Sequence, residues 1–140
     1  MARRRKRSAV LGPVITLVTL FALWSTHNLP GTTGGTLDLA SGTLNCLQLE
    51  RLWESAGGSS STAFTAAEIA RAESSGEQYA KDDDGNGTID YGYWQINSSN
   101  GGSPASYNPM TNAREAVSLY DADGWYPWIT WRHGAEIGQC

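Results

Sequence analysis

The stretch Ala70-Arg-Ala-Glu-Ser-Ser-Gly76 sets a carboxylate, Glu73, among small residues, and Thr88-Ile-Asp-Tyr-Gly-Tyr-Trp-Gln-Ile-Asn97 brings a second, Asp90, 17 positions later. Ala66, Ile69 and Ala70 precede Glu73 by seven, four and three residues, the spacings that share one helical face. Glu73 is therefore expected at the C-terminal end of an apolar face, where loss of water favours the neutral acid. A carboxyl held neutral in that way suits proton donation near neutral pH. Glu68 and Arg71 fall off the stripe and can pair in solvent. On spacing alone, a half-exposed Glu bonded locally at a helix end explains Glu73 more simply.

The elements around these carboxylates indicate an α+β domain, mostly α-helical with a small β-hairpin lobe. Leu49, Leu52, Trp53 and Ala56 form one stripe of a first helix over Leu44–Ala56, with Gly57-Gly58 as its stop. After a loop at Ser59–Thr62, Thr65-Ala-Ala-Glu68 reads as a capping box, which predicts a second helix from Ala66 to Ser75 ending at Gly76. Residues 81–92 are dense in turn formers and predict a hairpin around Thr88–Asp90. Asn108-Pro109 opens a third helix, in which Ala113, Ala116, Val117 and Tyr120 share a face. Asp121-Ala-Asp-Gly124 then turns the chain into a short tail with Trp125, Trp128 and Trp131 at three-residue intervals.

The 140 residues suffice for one domain with length to spare, and 40% hydrophobic with 17% charged residues allows a packed core. Arg3, Arg4, Arg5, Lys6 and Arg7 hold half of the ten basic residues. After them stand five cations against fourteen acids, a balance of −9, the wrong sign for a nucleic-acid partner. The basic cluster precedes an apolar run over residues 9–24, the layout of a secretory signal or of an uncleaved N-terminal membrane anchor. Residues 1–24 are assigned to that segment, the Gly/Thr/Ser-rich residues 25–43 to a flexible linker, and 44–140 to the folded domain. Either form of the segment puts the domain outside the cytoplasm and limits membrane contact to the N-terminus. Cys46 and Cys140, at the two ends of the domain, then predict a disulfide. His133 is expected in solvent, and no His/Cys metal spacing, Walker loop or nucleophile elbow is present.

Glu73-Ser-Ser-Gly76 and Asp90-Tyr-Gly-Tyr-Trp-Gln-Ile-Asn-Ser98 resemble the two signature segments of the animal C-type lysozymes, with similar spacing between the carboxylates. The segments 67–76, 90–97, Asn108-Pro-Met-Thr-Asn-Ala-Arg-Glu-Ala116 and Gly124-Trp-Tyr-Pro-Trp-Ile-Thr-Trp131 resemble bacterial and phage lysozyme-like or soluble-lytic-transglycosylase-like domains. Together these segments cover about residues 45–133, and only their combination is specific. The resemblance implies a cleft between a helical and a β lobe, and cleavage of the MurNAc–GlcNAc β-1,4 bond of peptidoglycan glycan strands by a monomer. It implies Glu73 as general acid, Asp90 as nucleophile or ion-stabiliser, and Gln95 and Asn97 as sugar-binding residues of the cleft floor. Of Tyr93 and Trp94 one is expected to stack on a sugar face and the other to pack inward, and Trp125, with Tyr126, Trp128 and Trp131, is a further candidate for sugar contact, against the alternative that tryptophans at helical spacing are core.

The chain departs from the C-type pattern in having a single cysteine pair and an acidic domain, which points to work on the producer's own wall or to a tethered enzyme. Two rival functions follow from the same residues: a lytic transglycosylase that uses Glu73 alone and leaves 1,6-anhydro ends, and a non-catalytic glycan-binding module. No cofactor is expected, and the acidic turn before Asp90 reads first as a solvated turn, with a calcium loop as the alternative. Asp82, Asp84, Asn86, Thr88 and Asp90 fall at positions 1, 3, 5, 7 and 9 of an EF-hand loop with Gly87 at position 6, but Tyr93 stands where the bidentate Glu belongs.

Overall fold

The computed structural model describes residues 42–140 of the chain. The segment 1–24 and the linker through residue 41 lie outside the described residues. The described residues form four α-helices, α1 (Cys46–Ser55), α2 (Ser60–Ser74), α3 (Pro109–Asp123) and α4 (Ile129–Arg132), and a three-stranded sheet of β1 (Lys81–Asp83), β2 (Ile89–Tyr91) and β3 (Ile96–Asn97). Among the described residues no helix is long and apolar enough to cross a membrane.

Helix α1 begins at Asn45, whose side chain accepts from the Gln48 amide at 3.0 Å while the Gln48 side chain accepts from the Asn45 amide. This reciprocal box satisfies two amides that a helix start otherwise leaves unpaired. Leu49, Leu52 and Trp53 are buried along the expected stripe. Gly58 follows because a Cβ there would lie 2.1 Å from the Trp53 ring nitrogen.

Helix α2 starts at Ser60, six residues before the capping box predicted it. Ser59 caps the Ser61 amide, and the Thr62 hydroxyl donates to the Ser59 carbonyl at 2.9 Å and accepts from the Trp53 indole at 3.1 Å. The polar run Ser59–Thr62 thus satisfies the first turn itself, and Thr65-Ala-Ala-Glu68 lies inside the helix. The helix ends through Ser75 in the left-handed region (φ 57°), with the Arg71 guanidinium on the Ser75 carbonyl.

Gly42 and Thr43, given to the linker by composition, are tied to the domain. Thr43 bridges Glu77, the Gly42 amide donates to Gln78 at 2.8 Å, and the Tyr93 hydroxyl donates to the Gly42 carbonyl at 3.0 Å. At the other end Cys140 is disulfide-bonded to Cys46, with Cα atoms 5.6 Å apart.

The sheet is antiparallel in the order β1-β2-β3, with Asp82 opposite Asp90 and Asp90 opposite Asn97. The hairpin was expected; the two-residue strand β3 was not. Gly92 (φ +75°) and Gln95 (φ 45°) turn the chain from β2 back into β3. A Cβ on Gly92 would meet Asn112 Nδ2 at 2.7 Å and the Ser106 carbonyl at 2.8 Å. Asn112, fully buried on α3, explains that close approach: its Nδ2 donates to the Tyr91 carbonyl and its Oδ1 accepts from the Trp94 amide. One buried side chain therefore locks the sheet onto the helices, with every polar atom paired.

The core gathers Leu49, Leu52 and Trp53 of α1, Ala66, Ala67, Ile69 and Ala70 of α2, and Ala113, Ala116 and Val117 of α3 around Trp94 and Ile96. The alanines of α2 let α1 and Trp94 approach closely. The Trp94 indole donates to the Ala66 carbonyl and the Trp128 indole to the Trp94 carbonyl, both at 2.9 Å. These rings keep their polar edges satisfied while burying large apolar faces.

Candidate active site

Glu73 is the penultimate residue of α2, on the face that buries Ile69 and Ala70. Its carboxylate emerges half-buried. The Thr130 hydroxyl of α4 donates to Glu73 Oε1 at 2.6 Å. Burial raises the Glu73 pKa above its ordinary value, hydrogen bonds from Thr130 partly oppose the rise, and the charge of Asp90 adds to it.

Asp90 reaches the same space from β2. Asn97, its cross-strand partner, donates to Asp90 Oδ1 at 2.7 Å and lies 2.9 Å from Asp84 Oδ2. Burial also raises the Asp90 pKa; the Asn97 bond lowers it, and the charges of Asp84 and Asp82 raise it. The two carboxyls therefore differ in their surroundings. Glu73 faces a hydroxyl and apolar neighbours; Asp90 belongs to a row of acids and an amide.

Glu73 and Asp90 line one cleft of about 400 Å³. Its sheet wall carries Asp82, Asp84, Asp90, Gln95 and Asn97, and its helical wall Leu119, Pro127, Trp128, Ile129 and Arg132. A second depression of about 540 Å³ shares Glu73, Asp82, Asp90 and Gln95 and continues past Tyr79 and Lys81. The carboxylates thus sit where two hollows meet, an arrangement that suits a chain-like ligand crossing them.

Of the residues singled out in the sequence, Glu73, Asp90, Gln95 and Asn97 converge on this cleft. Among the aromatic candidates Trp128 joins them, whereas Tyr93, Trp94 and Trp125 do not line it. Tyr93 and Trp94 are fully buried, so neither presents a ring to a ligand. The Gly92 turn and Asn112 draw both rings inward, and burial pushes the Tyr93 phenol up to about 12. Trp125 packs among Trp53, Tyr120 and Trp128, with ring centroids 4.2–5.7 Å away. It is half-buried, packed against the core, and does not line the cleft.

The candidate calcium loop closes on itself. The Thr88 hydroxyl donates to Asp84 Oδ2 at 2.6 Å and lies 2.7 Å from Asn86 Oδ1, while Asp83 Oδ1 accepts from the Gly85 amide. These contacts tie the side chains of the turn to one another and to its backbone. Among the described residues no group of three or more His, Cys, Asp or Glu side chains is placed to hold a metal ion.

Sequence reasoning missed Thr130 and Arg132. Thr130 lies 57 residues from Glu73, and no periodicity links two elements that far apart. His133 is exposed, as expected.

A family model described as a lysozyme-like domain matches residues 50–130, more than half of the chain. No curated protein matches it.

Proposed function

This chain belongs to the lysozyme-like domain family, and we propose that it acts outside the cytoplasm as a muramidase, hydrolysing the MurNAc–GlcNAc β-1,4 bond of peptidoglycan. One observation carries the reading: Glu73, with a raised pKa, shares a cleft with Asp90, which projects from a different element. In this reading Glu73 gives its proton to the glycosidic oxygen as the bond to the sugar carbon breaks. Asp90, as carboxylate, meets the positive charge that develops on that carbon. Glu73, now ionised, then takes a proton from the incoming water. Thr130 orients the Glu73 carboxyl, and its donated bond stabilises the ionised form that each turnover passes through. Gln95 and Asn97 offer amide groups to sugar hydroxyls and acetamides. The Cys46–Cys140 bond fits an oxidising, extracytoplasmic place of action.

A second reading rests on the surroundings of Asp90. Its Oδ1 is held by Asn97, and Asp82 and Asp84 oppose its ionisation. Those features also suit a lytic transglycosylase, in which Glu73 works alone and the sugar's own 6-hydroxyl replaces water. Digestion of purified peptidoglycan, followed by mass analysis, tests both. Reducing ends are expected of the muramidase; fragments ending in 1,6-anhydro-MurNAc, one water lighter, would mark the transglycosylase. Equal clearing by wild type and Glu73→Gln would overturn both.

A further inference from the structure

The helical wall of the cleft carries a cation that this chemistry does not use. Arg132 lines the space shared by Glu73, Asp82, Asp84 and Asp90, and among the described residues no other Lys or Arg lines that hollow. Its guanidinium carbon lies 5.0 Å from the centroid of the exposed Tyr126 ring. A cation–π contact uses no N–H of the guanidinium as a hydrogen-bond donor to an oxygen, and a guanidinium's N–H fork matches a carboxylate.

The opposite wall repels such a ligand. Asp82 and Asp90 lie side by side across the strands, and Asp84 shares Asn97 with Asp90. An anionic group entering the cleft is pushed from the sheet and drawn to α4. In a wall glycan the anionic groups recur with the sugars. Each MurNAc carries a 3-O-lactyl arm, which ends in its own carboxylate when bare and leads to the carboxylates of the stem peptide when substituted. GlcNAc carries no such group.

We propose that Arg132 binds the carboxylate borne on the lactyl arm of MurNAc, so that the cleft selects the face and register of the strand as well as its backbone. The inference rests on the peptidoglycan reading above. It makes Arg132 a specificity residue outside the bond-breaking chemistry. The charged arm of each MurNAc bound beside α4 turns toward the helical lobe, and the neutral GlcNAc between them leaves the acidic sheet wall unopposed.

The test is a binding cycle in the inactive Glu73→Gln background, with and without Arg132→Gln. The probes are purified glycan strands bearing stem peptides, used either native or with their carboxyls amidated by a neutral amine. Amidation is expected to weaken binding about tenfold when Arg132 is present and less than about twofold in the Arg132→Gln protein. Arg132→Lys should restore part of the difference, since charge remains and the fork is lost. Strands stripped of peptide decide the source: retained dependence on Arg132 names the lactyl carboxylate, and lost dependence names the stem peptide. Equal effects of amidation in both proteins would overturn the role of Arg132 and leave the peptidoglycan reading intact. Binding of no strand by the Glu73→Gln protein would overturn that reading and the proposal with it.

Discussion

Thr130 Oγ1 donates a 2.6 Å hydrogen bond to Glu73 Oε1, joining the last helix to the end of the second across 57 positions of sequence. A donor of this kind favours the ionised carboxyl and opposes the burial that favours the neutral one. Replacing Thr130 by Val removes the donor at nearly constant volume. Glu73 should then hold its proton to higher pH, and the alkaline limb of the kcat/KM profile should move upward while kcat falls. Thr130→Ser should keep the limb where it is. A pH–rate series on the three proteins reads the effect, and an unmoved limb in Thr130→Val would sink the positioning role.

Glu73→Gln should lower turnover about 10²- to 10⁴-fold, the usual contribution of a placed general acid. It should also stabilise the fold near neutrality. The Glu73 pKa is higher folded than unfolded, so between those two values the folded state binds more protons and stability falls as pH rises. Below the unfolded value, both states are protonated and the penalty is absent. The Tm of Glu73→Gln should therefore exceed that of wild type at about pH 7, and the gap should close toward about pH 3. A gap independent of pH would contradict the assigned cause.

Asp82 faces Asp90 across β1 and β2, and like charges in directly opposed positions destabilise a sheet. Asp82→Asn should stabilise the domain by about 0.2–1 kcal/mol at neutral pH. Its charge also helps to raise the Asp90 pKa, so the acid limb of the activity profile should move to lower pH. Urea melts and a pH profile check the two halves separately.

Asn112 bonds both the Tyr91 carbonyl and the Trp94 amide inside the core. Asn112→Ala would leave both groups buried and unpaired. Each such group costs about 1–3 kcal/mol, so the urea midpoint should drop sharply. A loss below about 1 kcal/mol would mean that water enters and replaces the amide.

The Cys46–Cys140 bond spans 94 positions and pins the tail that carries α4 to the start of α1. The double Cys→Ser variant should lose about 2–4 kcal/mol, mainly because the unfolded chain regains freedom. The Gly138 amide, bonded to Glu68 Oε1 at 2.9 Å, gives the tail a second hold. Activity should therefore decline less steeply than stability when both are followed during reduction.

Local patterns carried much of the architecture. The stripes Leu49/Leu52/Trp53 and Ala113/Ala116/Val117 are face patterns of single helices, and Asn108-Pro109 is a cap written in two residues. The start of α2 was misread because Thr65 and Glu68 match a capping motif, while Ser59 and Thr62 satisfy the actual first turn with the help of Trp53 from another helix. Strand β3 has two residues, too few for alternation to register.

For the cleft, the sequence by itself determined that Glu73 would share a face with apolar neighbours and that Asp90 would follow a turn, because helical period and turn chemistry are properties of nearby residues. Only the tertiary structure decided what surrounds them. Tyr93 and Trp94 turned inward because Asn112, on a distant helix, claims the backbone on either side of Gly92. Thr130 and Arg132 came to the cleft because α4 packs over the end of α2, a contact fixed by the burial of Trp128 and not by any spacing along the chain.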